Sequence, residues 1–160
     1  MEILYNQQYP SDKPDLEKGV LFLAGPTYRG DNTHSWRWHA LEILKELGFA
    51  GRVYVPEYHP LQRGLADWDN PDFYAKQCKW EHYGIWDCAT VVFWIPRHLQ
   101  LLPGFTTNIE FGYCVGASKA MVYGRPDGSP KCDYLDWMYR ESFNREPFTD
   151  LKALLTEVTK

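Results

Sequence analysis

The chain has 160 residues, 44% of them hydrophobic, with seventeen basic against twenty-one acidic side chains and a formal net charge of −4. That is enough apolar material for one packed domain over residues 1–160, and too little positive charge for a face that tracks a nucleic-acid polymer. No run approaches the ~20 apolar residues of a membrane span, and the opening MEILYNQQYPSDKPDLEK has no apolar signal-peptide core, so neither membrane nor secretion is expected and the cytoplasm is the expected location.

In chain order, GVLFLAGP reads as a buried strand over Val20 to Ala24, ended by Gly25 and Pro26. SWRWHALEILKELGF places Trp36, Ala40, Ile43, Leu44 and Leu47 on one helical face, with Ser35 as N-cap and Gly48 as the C-terminal stop. RVYVPE is a second short strand, and HPLQRGLADWDNP a polar, turn-rich connection. PDFYAKQCKWEHYGIWDC suits a helix with Pro71 in its first turn. ATVVFWIP is the plainest strand, NIEFGYCVGASK a helix and AMVYGRP a further strand, while SPKCDYLDWMYRES and DLKALLTEV are helical.

Strands alternate with helices, and each strand is a nearly continuous apolar run, as when both sheet faces are covered. This predicts an α/β fold with a doubly wound parallel sheet. Ligands of such sheets bind beyond the carboxyl ends of the strands. Three polar stretches fall there, AGPTYRG, PRHLQLLPGFTTNIE and GRPDGSP, and are expected to converge.

Cys78, Cys88, Cys114 and Cys132 show no C-x-x-C spacing, and His34, His39, His59, His82 and His98 form no ligand pattern. Reduced thiols, no metal requirement and no cofactor are therefore expected. The chain has no G-x-S-x-G elbow, no Walker A pattern and no G-x-G-x-x-G.

The chemistry-bearing candidate is Glu110, a lone carboxylate in the apolar stretch TTNIEFGY. If Thr107 or Asn108 caps a helix there, Glu110 lies in the first turn, favoured by the helix dipole, and a plain capping box accounts for it. The same placement also suits a nucleophile. A carboxylate at the edge of a partly apolar cleft attacks the anomeric carbon of a sugar and forms a covalent intermediate. A second group must then protonate the leaving group. Glu81 and Asp87, just before the central strand, are the candidates, against the simpler reading of a solvated helix residue and a helix-end residue.

FLAGPTYRG, SWRWHALEILKELGF, VYVPE, ATVVFWIPR and GFTTNIEFGY with VYGRP together resemble the nucleoside 2-deoxyribosyltransferase-like family, over about Val20 to Tyr134. The resemblance implies a flavodoxin-like (Rossmann-like) parallel sheet. It implies that Glu110 is the nucleophile that attacks C1′ of a deoxyribose, and that Gly25, Pro26, Thr27 and Tyr28 line the base site, with Tyr28 stacking on the base. It places Glu81, or His82 with a one-residue gap, where the family contacts the base, and Thr107 and Asn108 next to the sugar hydroxyls. Asp133 or Tyr134 falls where the family supplies a residue to a neighbouring subunit's site. Two features depart from the family pattern: Gly104 stands where an aspartate precedes the nucleophile by six residues, and the segment before Val20 is longer.

The resemblance thus implies transfer of a 2-deoxyribosyl group between nucleobases, with 2′-deoxynucleosides and free bases as partners and a homo-oligomer as the assembly. An N-glycoside hydrolase using the same glutamate is the alternative. In that case Arg29, Arg97 and Arg125, in the three rim loops, are candidates for holding a 5′-phosphate, or are simply solvated. A nucleotide-binding module without turnover is the third possibility.

Overall fold

The computed structural model describes residues 1–13, 15–28, 35–59 and 70–160, Leu16 without its side chain. Five strands are found among these residues: β1 (Glu2–Tyr5), β2 (Val20–Ala24), β3 (Arg52–Val55), β4 (Thr90–Trp94) and β5 (Met121–Gly124). All pair in parallel, in the order β1-β3-β2-β4-β5, with Val20 opposite Arg52, Leu21 opposite Thr90 and Val91 opposite Met121. The helices are α1 (Trp36–Glu46), α2 (Pro71–Asp87), α3 (Phe105–Gly116), α4 (Asp133–Phe143) and α5 (Leu151–Glu157).

Side chains along a strand alternate between faces, and both faces are apolar. Leu21, Leu23, Val53, Val55, Val92, Trp94 and Val122 pack with Ala40, Ile43 and Leu44 of α1 and with Leu151, Leu154 and Leu155 of α5. The neighbours in sequence, Val20, Phe22, Ala24, Tyr54, Val91, Phe93 and Tyr123, pack with Trp80 of α2, Phe111 and Cys114 of α3, and Leu135 and Tyr139 of α4. The arrangement is an α/β flavodoxin-like one, doubly wound as the alternation of elements predicted.

Two details differ from the sequence reading. The segment before Val20 contributes an edge strand, β1, beside β3. The short stretch EILY, flanked by polar residues, gives little periodic signal. Buried Arg52 fixes it by donating to Glu2 Oε2 at 2.6 Å and to Asp12 Oδ1 at 2.7 Å. The second difference is the start of α3. Neither Thr107 nor Asn108 caps it. The N-cap is Gly104, left-handed at φ 64° and ψ 45°, without a side-chain cap. A Cβ there would also press on Pro26, 3.2 Å away. The Pro103–Gly104 break lets the helix begin at Phe105, so Glu110 belongs to the second turn rather than the first.

From β2 the chain winds outward through α1 to β3. It then crosses back through α2 to β4 and continues through α3 to β5. The winding direction therefore reverses between β2 and β4, which opens a crevice at their carboxyl ends. Gly25 makes the approach possible, because a Cβ on it would lie 2.2 Å from the Trp94 carbonyl oxygen.

Candidate active site

The loop after β2 forms one wall of this crevice, and α1 holds it. Ser35 caps α1 by accepting from the Arg37 amide. Arg37, on the first turn, points back under the loop and is only 1% exposed. Its Nε donates to the Leu23 carbonyl at 2.9 Å, Nη2 to the Gly25 carbonyl at 2.6 Å and Nη1 to Thr27 Oγ1 at 3.3 Å. Buried Glu57, just past β3, accepts from both Arg37 Nη1 and Ser35 Oγ through its Oε1. Its Oε2 has no partner among the described residues. The Trp36 indole donates to the Pro26 carbonyl at 3.2 Å. The backbone carbonyls at the end of β2, which a sheet leaves unpaired, are thus taken up by a guanidinium.

The opposite wall is made by α2 and α3. Glu81 from α2 and Glu110 from α3 both border the crevice, each partly buried, and the charge of Glu81 reaches Glu110. A cavity of about 610 Å³ lies between the walls, bordered by Gly25, Pro26, Thr27 and Tyr28 on one side and by Tyr74, Glu81, Thr106 and Glu110 on the other. Pro56 from the end of β3 and Pro103, Gly104 and Phe105 complete the rim. A smaller groove of about 280 Å³, lined by Cys78, His82, Ile85, Ile109 and Tyr113, adjoins it through Glu81, Thr106 and Glu110.

Both carboxyl groups stand above the usual carboxylate range. Glu110 is pushed up to about 8, first by burial and then by the charge of Glu81, with Arg37 acting the other way. Glu81 is raised by burial, opposed by its hydrogen bond from Gln77 and by Arg37. Two close carboxyl groups in a poorly solvated site release their protons as a pair. Glu110, at about 8, holds a proton near neutral pH beside a second carboxyl group that can exchange it. Such a pair suits cleavage of a glycosidic bond.

The structure brings together most of the residues singled out in the sequence. Glu110, Glu81, Gly25, Pro26, Thr27 and Tyr28 all border the main cavity, and His82 borders the smaller groove. Asp87 does not join them. It ends α2, next to Cys88 and Ala89, whose amide bonds to Val20 at the start of β2, on the amino side of the sheet. There it accepts from Tyr54 Oη at 2.6 Å and from Tyr83 Oη at 3.4 Å. Thr107 is buried against the start of α3, and Asn108 is exposed and accepts from Arg97, so neither lines the cavity. The shift in helix start explains this: a phase that begins at Phe105 puts Thr106, one turn before Glu110, where Thr107 and Asn108 were expected.

Of the three polar stretches, the first two converge, and GRPDGSP borders neither space. Its Arg125 is clamped on Asp136, with Nη2 to Oδ2 at 2.6 Å, and Tyr123 donates to the same carboxylate at 2.8 Å. Arg97 is buried and donates to the Lys131 carbonyl and to Asn108. Both arginines are committed to partners within the fold and neither lines the cavity; Arg29 lies outside the described residues. Asp133 and Tyr134 open α4 away from the cavity, with Tyr134 68% exposed and stacked on Trp137.

Sequence reasoning missed Arg37, Glu57, Gln77 and Tyr74. Arg37 sits among apolar residues in SWRWHALEIL, and a cation on a buried helix face was the available signal. Glu57 and Gln77 gave none, because their importance depends on what the fold sets beside them.

A family model described as Nucleoside 2-deoxyribosyltransferase like matches residues 18–127, more than half of the chain. No curated protein matches the sequence. The matched stretch runs from just before β2 to just beyond β5 and includes every residue that borders the cavity. The chain belongs to the nucleoside 2-deoxyribosyltransferase-like family.

Proposed function

We propose that the protein transfers a 2-deoxyribosyl group between nucleobases through a covalent intermediate on Glu110. The observation that carries this reading is the pairing of Glu110 with Glu81 at the border of one cavity, where burial raises both carboxyl groups and the charge of Glu81 raises Glu110 further. The proton that Glu110 holds at neutral pH first passes to Glu81; ionised Glu110 then attacks C1′ of a 2′-deoxynucleoside while Glu81 gives that proton to the departing base. A second base then attacks C1′, displaces Glu110 and returns a proton to Glu81. Two inversions leave the configuration retained. Tyr28 and Tyr74, across the cavity, offer aromatic faces for the base.

Arg37 is the one cationic side chain on the cavity border among the described residues, and its donors are committed to carbonyls and to Glu57. Residues 1–160 form one such domain, since β1 and α5, beyond the matched stretch, extend the same sheet and cover the same face. Exposed Tyr134, Trp137, Phe105 and Ile109 offer apolar surface for a homo-oligomer, and four unpaired cysteines suit the reducing cytoplasm.

The test mixes deoxyadenosine, deoxyuridine and free bases and follows new nucleosides by chromatography. New nucleosides that require an acceptor base, and that vanish in Glu110→Ala with the fold retained, are expected. Free deoxyribose formed without an acceptor identifies a hydrolase instead, and binding without base release identifies a non-catalytic module. Near-normal exchange by Glu110→Ala removes Glu110 as nucleophile.

A further inference from the structure

Gln77 lies one helical turn before Glu81 on α2. It is 5% exposed and donates through Nε2 to Glu81 Oε1 at 2.6 Å. The other end of its amide, Oε1, is buried and accepts from no group among the described residues. A surface pair at this helical spacing would turn its spare oxygen to water; a buried acceptor without a donor is costly. Among the described residues, the charged and titratable groups around Glu81 are Glu110 and Tyr113 from α3, Arg37 from α1, and Tyr74, Cys78 and His82 from its own helix. Gln77 is the residue among the described ones whose hydrogen bond holds Glu81 in place.

A primary amide is a donor at one end and an acceptor at the other. As placed, Nε2 binds an ionised Glu81. A half-turn of the amide brings the unpartnered Oε1 to the same point, where it accepts from the O–H of a protonated Glu81. We propose that Gln77 is a positioning residue that holds Glu81 in one place through both protonation states by turning its amide. This rests on the function proposed above.

The steps balance. In the first half, the C1′–N bond breaks with its electron pair on the base, and the Glu81 proton goes to a ring nitrogen of that base. A C1′–O bond to Glu110 forms, and Gln77 then donates to the new carboxylate of Glu81. In the second half, the incoming base attacks C1′ through nitrogen and its N–H proton goes to Glu81. The C1′–O bond breaks with its pair on Glu110, and Gln77 turns to accept from Glu81.

The test compares two donors in Gln77→Met and, as a second packing of the same site, Gln77→Leu. A natural donor, 2′-deoxyguanosine, needs a proton as its base leaves. In 7-methyl-2′-deoxyguanosine the methyl group already carries the ring nitrogen's charge, so the base departs without one. Base release is measured in single turnovers and corrected for spontaneous loss. General acid catalysis is worth about 10²–10⁴-fold, so a loss of about 10²-fold is expected with 2′-deoxyguanosine and of less than about 3-fold with the methylated donor. The methylated donor also reports that each variant is folded. Equal losses on the two donors, or no loss on either, overturn the role of Gln77. Exchange by the unaltered protein and its loss in Glu110→Ala test the underlying function separately, so the two failures are distinguishable.

Discussion

Two buried ionic clusters face each other across the cavity, and they treat charge in opposite ways. On the α1 side Arg37 and Glu57 carry opposite charges, and the guanidinium also takes up the carbonyls of Leu23 and Gly25. On the α2–α3 side two acidic groups, Glu81 and Glu110, lie together without a countercharge of their own, and the amide of Gln77 is the hydrogen-bonding partner found for Glu81 among the described residues. The first cluster neutralises its charge and fixes the loop Gly25–Tyr28. The second brings two acidic groups together in a poorly solvated site, which holds a proton on Glu110 up to about pH 8. Removing a charge from the first cluster should weaken the fold; removing one from the second should strengthen it.

The largest effect that sharpens this contrast is expected from Arg37→Met. It strands a buried Glu57 and frees several carbonyls, and breaking a buried ion pair from one side costs about 3–5 kcal/mol. Denaturant unfolding measures this. A cost below about 1 kcal/mol would mean that the Arg37 cluster is no more structural than its counterpart.

Glu110→Gln is expected to act in the other direction and with a pH signature. The Glu110 carboxyl has an ordinary value of 4.5 and stands at about 8 in the fold, so the folded chain binds this proton more tightly than the unfolded one. Its contribution to stability is then fully present below about pH 4.5 and is lost as pH rises through about 8. Replacing it by the neutral amide should raise Tm at pH 8.5 and change it little at pH 4.5. For a chain of this size each kcal/mol appears as about 2–4 °C. A Tm difference that is flat across this range would mean that Glu110 is not held protonated by its surroundings.

The smallest effect is expected from Ser35→Ala, which removes the α1 cap and one of the two donors to Glu57 Oε1. A lost N-cap costs about 1 kcal/mol, and thermal melts detect it. Exchange activity should survive, because Arg37 still holds the loop. If activity falls while stability does not, the first cluster takes part in the chemistry as well as in the scaffold.

Particular residues show how far the sequence was legible. β2 and β4 were plain because VLFLA and TVVFW are unbroken apolar runs, which a central parallel strand requires and little else tolerates. α1 and its Ser35 cap, and α2 with Pro71 at its start, follow from signals confined to a few adjacent residues. Glu110 was visible because a carboxylate amid apolar residues is locally anomalous. α3 was read three residues late because its start depends on Gly104 adopting a left-handed turn against Pro26, a residue far away in the chain. The resemblance implied Thr107 and Asn108 beside the sugar, whereas the helix phase brings Thr106 to the cavity border. Asp87 was credited with chemistry by its nearness in sequence to the central strand, although α2 runs against the strands and carries its C-terminal end away from the crevice.

By itself, then, the order of residues determined the alternation of strands and helices, the parallel sheet and the one carboxylate worth watching, because each is written in short-range periodicity and composition. Tertiary structure alone decided that Glu81 rather than Asp87 meets Glu110, that Arg37 and Glu57 brace the loop, and that the rim arginines Arg97 and Arg125 are spent on the fold. The physical reason is that pKa shifts, ion pairs and cavities depend on distances through space, and α1, α2 and α3 reach the same crevice only after the sheet has been wound in both directions.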